Sequence, residues 1–147
     1  MSVRERIQDD TKAAMKKRDK TRVGALRMVG AALKNAEIEA GRPLTEREEQ
    51  TILRRQLKQR DESAEAFRKA GREEQAASES AEAEIVRSYL PEPLSPADLE
   101  KIADKAITET GATTMRDMGS VMARAIELSE GRAEGRQLSA LVRDRLQ

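Results

Sequence analysis

Between Lys12 and Lys34 the chain carries eight lysines or arginines against a single carboxylate, Asp19. Six of them, Lys16, Lys17, Arg18, Lys20, Arg22 and Arg27, cluster around the run MKKRDKTR. Neutralising the phosphates of a nucleic acid needs no reactive group, only point charges held close together, so this is the strongest electrostatic candidate in the sequence. The competing reading is a solvated turn between two helices, whose lysines serve solubility alone.

A second constellation lies near the C-terminus, where Gly131-Arg132 and Gly135-Arg136 form a glycine-arginine corner between two apolar-periodic segments. Arg132 and Arg136, with Arg116 and Arg124 nearby, could contact phosphate oxygens, assisted by the free amides of a helix start. Against this, glycine is ordinary punctuation at helix ends, and Glu127, Glu130 and Glu134 sit among these arginines. Both readings stay open.

Catalytic chemistry is harder to place. The chain has no cysteine and no histidine. The first absence removes thiolate nucleophiles, disulfides and thiolate zinc sites, and the second removes the commonest general base and metal ligand. The carboxylates Asp9-Asp10 and Asp61-Glu62 are adjacent pairs, and adjacent residues on a helix point in different directions. No glycine-rich phosphate loop or nucleophile–base spacing is visible, so no independent catalytic site, no cofactor and no metal are expected.

The elements that must position these residues read as helices. One Phe and one Tyr in 147 residues leave a core of Leu, Ile, Val, Met and Ala, which suits helix packing better than strands. Ser2 with Glu5 and Thr45 with Glu48 fit capping boxes, Asp19 is placed to cap a second helix, and Ser95-Pro96 opens a later one. Helices are expected near Val3–Lys17, Lys20–Ala40, Glu46–Ala70 and the alanine-rich stretch before Leu90. Met15 is expected to face inward with Ile7 and Ala14. In the fourth helix Ala77, Ala81, Ile85 and Tyr89, spaced at four, form the inner stripe. Gly24 and Gly30 inside the second helix suggest close approach of a neighbour, since each costs about 1 kcal/mol relative to Ala.

Pro91, Pro93 and Pro96 within six residues mark the clearest boundary. The expected organisation is therefore all-α. An N-terminal unit of about four longer helices spans residues 1–90, and a small three-helix unit spans 91–147. The fifth helix is expected to end at Gly111. A cap from Thr114 to Asp117 opens the sixth, with Met118, Val121, Met122, Ala125 and Ile126 as its apolar stripe, and the seventh carries Leu138, Leu141, Val142 and Leu146. No apolar run reaches the roughly 18 residues that span a bilayer, and MSVRERIQDD lacks a signal-peptide apolar region. A soluble cytoplasmic protein with no membrane partner is expected.

Four segments in this order, LRMVGAALKNAEIEAGRPLT, LKQRDESAEAFRKAGREE, EIVRSYLPEPLSPADLE and GATTMRDMGSVM followed by GRAEGRQLSALV, resemble YqeY-like proteins over essentially the whole chain. These in turn resemble the C-terminal tail of GatB, the tRNA-handling subunit of the glutamine-dependent aspartyl/glutamyl-tRNA amidotransferase. The resemblance implies a two-part helical fold and a link to tRNA, aminoacyl-tRNA or amidotransferase components. It also implies the family label of carbon–nitrogen ligase with glutamine as amido-N donor, a label that describes the larger assembly. One departure bears on function: relatives commonly carry lysine and proline before the corner, where this chain reads ARAIELSEG.

Two functions follow as expectations. The first is a non-catalytic, tRNA-related accessory module that recognises folded RNA by shape and backbone, since Phe67 and Tyr89 are expected in the core and leave no aromatic stacking surface. The alternative is a protein-interaction adaptor with no RNA role, using Met115, Met118 and Met122 as adaptable contacts. Salt separates them, because phosphate contacts weaken steeply with ionic strength and an apolar groove does not.

Overall fold

The computed structural model describes residues 1–147 as seven α-helices and one 3-10 turn, with no strand. The chain divides into two compact units, Met1–Leu90 and Pro91–Gln147. The first holds α1 (Val3–Lys16), α2 (Lys20–Ala40), α3 (Glu46–Lys69) and α4 (Glu73–Arg87). Their starts follow from local chemistry. The Ser2 hydroxyl accepts from the Glu5 amide at 3.1 Å while the Glu5 carboxylate accepts from the Ser2 amide, and Thr45 and Glu48 repeat the pattern at 3.2 Å. Each box satisfies two amides that a helix start otherwise leaves unpaired. α2 ends where Gly41 adopts φ 68°, a left-handed conformation that closes a helix without a Cβ clash.

Within this unit α1 packs on α2 and α3 on α4, and α2 also meets α4. Ile7, Leu26, Val29, Leu33, Leu53 and Val86 are buried at the centre. Two expectations are corrected here. Met15 is 51% exposed. Ile7 and Ala14 already define the inward face, and the residue after Ala14 is turned about 100° away from it. In α4 the buried positions are Ala76, Ala83 and Val86, followed by Tyr89, while Ala77 and Ala81 face solvent. A stride of four drifts about 40° per step, so it cannot follow one face for three steps.

The glycines in α2 also differ from expectation. A Cβ on Gly24 would meet nothing within 4 Å, and one on Gly30 would meet only Ile7 Cγ2 at 3.6 Å, an ordinary contact. Neither is required by a close helix crossing.

The second unit holds α5 (Pro96–Thr110), a 3-10 turn (Met115–Asp117), α6 (Met118–Ser129) and α7 (Gly135–Leu146). The three helices pack pairwise around Leu99, Ala103, Val121, Ala125, Leu138 and Val142. Thr114 and Asp117 do form a capping box, with the 3-10 turn intervening before α6. Ile126, expected on the inner stripe, is 46% exposed, and the buried positions of α6 are Val121, Ala125 and Ser129.

Candidate nucleic-acid interface

The basic turn joins α1 to α2 in three residues. The Arg18 amide donates to the Met15 carbonyl and the Asp19 amide to the Ala14 carbonyl, each at 3.1 Å. This paired closure is the one that usually places glycine in the left-handed position. Here that position is Arg18, at φ 57°. Asp19 then turns from stop to start: its carboxylate accepts from the Arg22 amide at 3.1 Å and caps α2. The result is a tight bend whose only acid is committed to a backbone amide.

Lys16, Lys17, Arg18 and Lys20 are all exposed on this bend. None has a carboxylate oxygen within 4.0 Å, nor has any other cation between Lys12 and Lys34. Elsewhere the arginines are often neutralised: Arg60 lies 3.5 Å from both Glu79 and Glu82, and Arg87 lies 3.5 Å from Asp61. The contrast makes the turn a concentrated, uncompensated positive surface.

The structure separates the remaining two members of the cluster. Arg22 is half-buried and its charge acts on Tyr89. Tyr89 donates its hydroxyl to Asp10 and lies beneath the Arg6 guanidinium, 5.3 Å from ring centre to Cζ. Burial, then the Asp10 hydrogen bond and its charge, push the phenol up to about 12. Arg27 lies on another face, donating to Met15 Sδ at 3.7 Å. It borders an open groove of about 490 Å³ along the α1–α2 seam, together with Arg4, Lys12, Gly30 and Lys34. Lys12 and Lys34 also line this groove and extend the basic set beyond the residues named from the sequence. Their signal was present in the seven-residue spacing of Arg27 and Lys34, which puts both on one face of α2.

The arginines of the corner have diverged in role. Arg132 directs its guanidinium at the Glu92 carbonyl, with Nη2 at 2.9 Å and Nε at 3.3 Å, and so ties the corner to the proline segment that opens the unit. Arg124 is held by Glu109 and Glu127, whose hydrogen bonds raise its pKa and lower that of Glu109. Arg136 is exposed and has no carboxylate partner. Met118 and Met122 pack half-buried on the small core, and Met115 is 40% exposed.

A family profile described as "Yqey-like protein" matches residues 4–146 of the chain. The chain belongs to the YqeY-like family. Both the basic turn and the glycine-arginine corner fall inside the matched span. Among curated proteins, this YqeY-like chain is similar to "Altered inheritance of mitochondria protein 41, mitochondrial" of Pyrenophora tritici-repentis (strain Pt-1C-BFP). The two are 28% identical over 130 residues, which cover 87% of this chain and 71% of the relative. No helix of the YqeY-like fold is long and apolar enough to cross a membrane, and no three Asp or Glu side chains gather closely enough to hold a metal ion.

Proposed function

We propose that this YqeY-like chain is a non-catalytic cytoplasmic module that docks on folded RNA of the tRNA class, with the α1–α2 turn as its contact. The observation that carries the reading is the exposed set Lys16, Lys17, Arg18 and Lys20, with no carboxylate within ion-pair distance. Four cations on one bend suit a phosphate backbone, and the absence of an exposed aromatic platform favours recognition by shape over base stacking. The absence of cysteine and histidine supports a binding role over unaided amide transfer.

Arg18 adds weight to this reading. A left-handed non-glycine residue costs about 1–2 kcal/mol, and glycine would close the same turn without that strain. A charge kept at a strained position fits a contact residue better than a spacer.

The test is binding of unfractionated tRNA by wild type and by the K16E/K17E/R18E variant. The four phosphate contacts of the turn alone should weaken wild-type binding roughly a hundredfold for a fourfold rise in salt, and any further contact should steepen that loss. Charge reversal should abolish most of the binding at low salt. Equal binding by the variant, or none by wild type at low salt, would refute the reading.

A further inference from the structure

Folding sorts the eight cations between Lys12 and Lys34 into three places. Lys16 to Lys20 occupy the turn, Arg22 lies beside Tyr89, and Lys12, Arg27 and Lys34 line the groove along the α1–α2 seam. Arg27 and Lys34 are two helical turns apart, about 10 Å along the axis, and Lys12 faces them from α1. The groove is lined by no aspartate or glutamate. Its floor passes over Gly30, beneath which Ile7 and Leu26 are each only 1% exposed.

Resting on the RNA reading above, we propose that this groove seats a sugar–phosphate strand of the same RNA that the turn contacts. Phosphates lie against Lys12, Arg27 and Lys34, and sugars cross the low wall at Gly30 and Ala31. Gly30 lines the groove without a side chain, so a strand can approach the helix backbone there. An acidic amphipathic helix fits less well. Such a helix gains its affinity by inserting large apolar side chains against an apolar floor, and the two large apolar side chains of this floor, Ile7 and Leu26, are each only 1% exposed. What the groove does offer is charge, and Arg27 joins it to the end of α1 through its contact with Met15.

The groove and the turn can be tested separately, because the groove can be filled without removing a charge. The variants are Gly30→Ala, Gly30→Met and K12Q/K34Q, assayed for unfractionated tRNA at fixed low salt, with thermal melting as the control for folding. Gly30→Ala should melt with wild type, because its methyl meets Ile7 only at ordinary contact distance, and should weaken binding about threefold, less than the larger side chain does. Gly30→Met should weaken binding about tenfold with every cation in place. K12Q/K34Q should lower the salt slope by about two, and because both residues are exposed the substitution leaves the fold intact.

If Gly30→Met and K12Q/K34Q bind like wild type while K16E/K17E/R18E does not, the groove assignment is wrong and the turn assignment survives. If wild type binds no tRNA, both fall. If poly-L-glutamate binds more tightly than tRNA and Gly30→Met blocks it, the occupant is an acidic protein segment and the assignment is overturned.

Discussion

Tyr89, just beyond the end of α4, donates its hydroxyl to the Asp10 carboxylate in the middle of α1, joining positions 79 residues apart in the chain. Tyr89 is 6% exposed, so its hydroxyl needs a partner inside the fold, and Asp10 supplies one. The Arg6 guanidinium covers the ring, and Arg22 lies close enough to oppose the rise in the phenol's pKa. This polar cluster holds the two ends of the first unit's helix order together, on a side of α1 different from the seam groove.

Removing that hydroxyl should therefore cost stability. Tyr89→Phe leaves the ring in place and strands Asp10, and we expect a loss of about 1.5–3 kcal/mol, the range for a hydrogen bond to a charged group. The pH dependence has a defined sign. Tyr89 ionises near 10 when unfolded and near 12 in the fold, so the native state binds the proton more tightly. The advantage over Tyr89→Phe is fully present below pH 10 and is lost as pH rises toward 12. Melting temperatures of both proteins from pH 8 to 12 should converge, and a constant gap would mean that burial and the Asp10 hydrogen bond do not hold the phenol protonated in the fold.

Acid should act at the opposite side of the scale and at a different place. Glu48, in the capping box of α3, is lowered to about 2, first by the Arg42 hydrogen bond and then by the Thr45 amide and hydroxyl. Its contribution is present above its ordinary value of 4.5 and disappears as pH falls toward 2. Asp98 and Asp117, which cap elements of the second unit, are lowered by the same kind of hydrogen bond. Glu48→Gln should flatten the acid limb of the melting-temperature profile between pH 4.5 and 2, and chemical denaturation at pH 3 and 6 measures that difference directly.

These caps show what a linear reading can recover. Ser2, Asp19, Thr45, Ser95 and Thr114 each satisfy amides two or three residues away, so their role is written in adjacent letters. The Asp10–Tyr89 bond and the division of the basic stretch were not legible, because both depend on which helices pair and at what rotation. Alanine made the fourth helix ambiguous. A residue that tolerates both solvent and core gives no sign of which face is buried: Ala77 and Ala81 face solvent, while Ile85 and Tyr89 at the end of the same stripe do pack on the core. Gly24 misled for a related reason: a glycine in a helix suggests a crossing partner, yet this one borders open space.

In the second unit the two corner arginines should separate cleanly. Arg132 holds the Glu92 carbonyl with two nitrogens, whereas Arg136 is exposed with no ion partner. Arg132→Ala should destabilise this unit by about 1 kcal/mol and raise amide exchange around residues 92–95, since the partner is a backbone group. Arg136→Ala should leave melting unchanged within about 0.5 kcal/mol. If RNA binding also draws on this corner, only Arg136→Ala lowers affinity with no change in stability.

Arg18 allows charge and backbone strain to be read apart at one position. Its left-handed conformation, φ 57°, is costly for any residue with a Cβ, and the pair of hydrogen bonds from Arg18 and Asp19 enforces it. Arg18→Gly should stabilise the protein by about 0.5–1 kcal/mol, the relief of that strain less the extra freedom of glycine in the unfolded chain. Arg18→Ala keeps the strain and removes the charge, so it should melt with wild type. Against tRNA the two variants should be alike, each losing about one unit of salt slope. A stabilised Arg18→Gly that still binds tRNA as tightly as wild type would mean that the strain serves something other than phosphate contact. A stabilised variant with weakened binding would show that this bend gives up folding energy to hold a cation where the RNA backbone arrives.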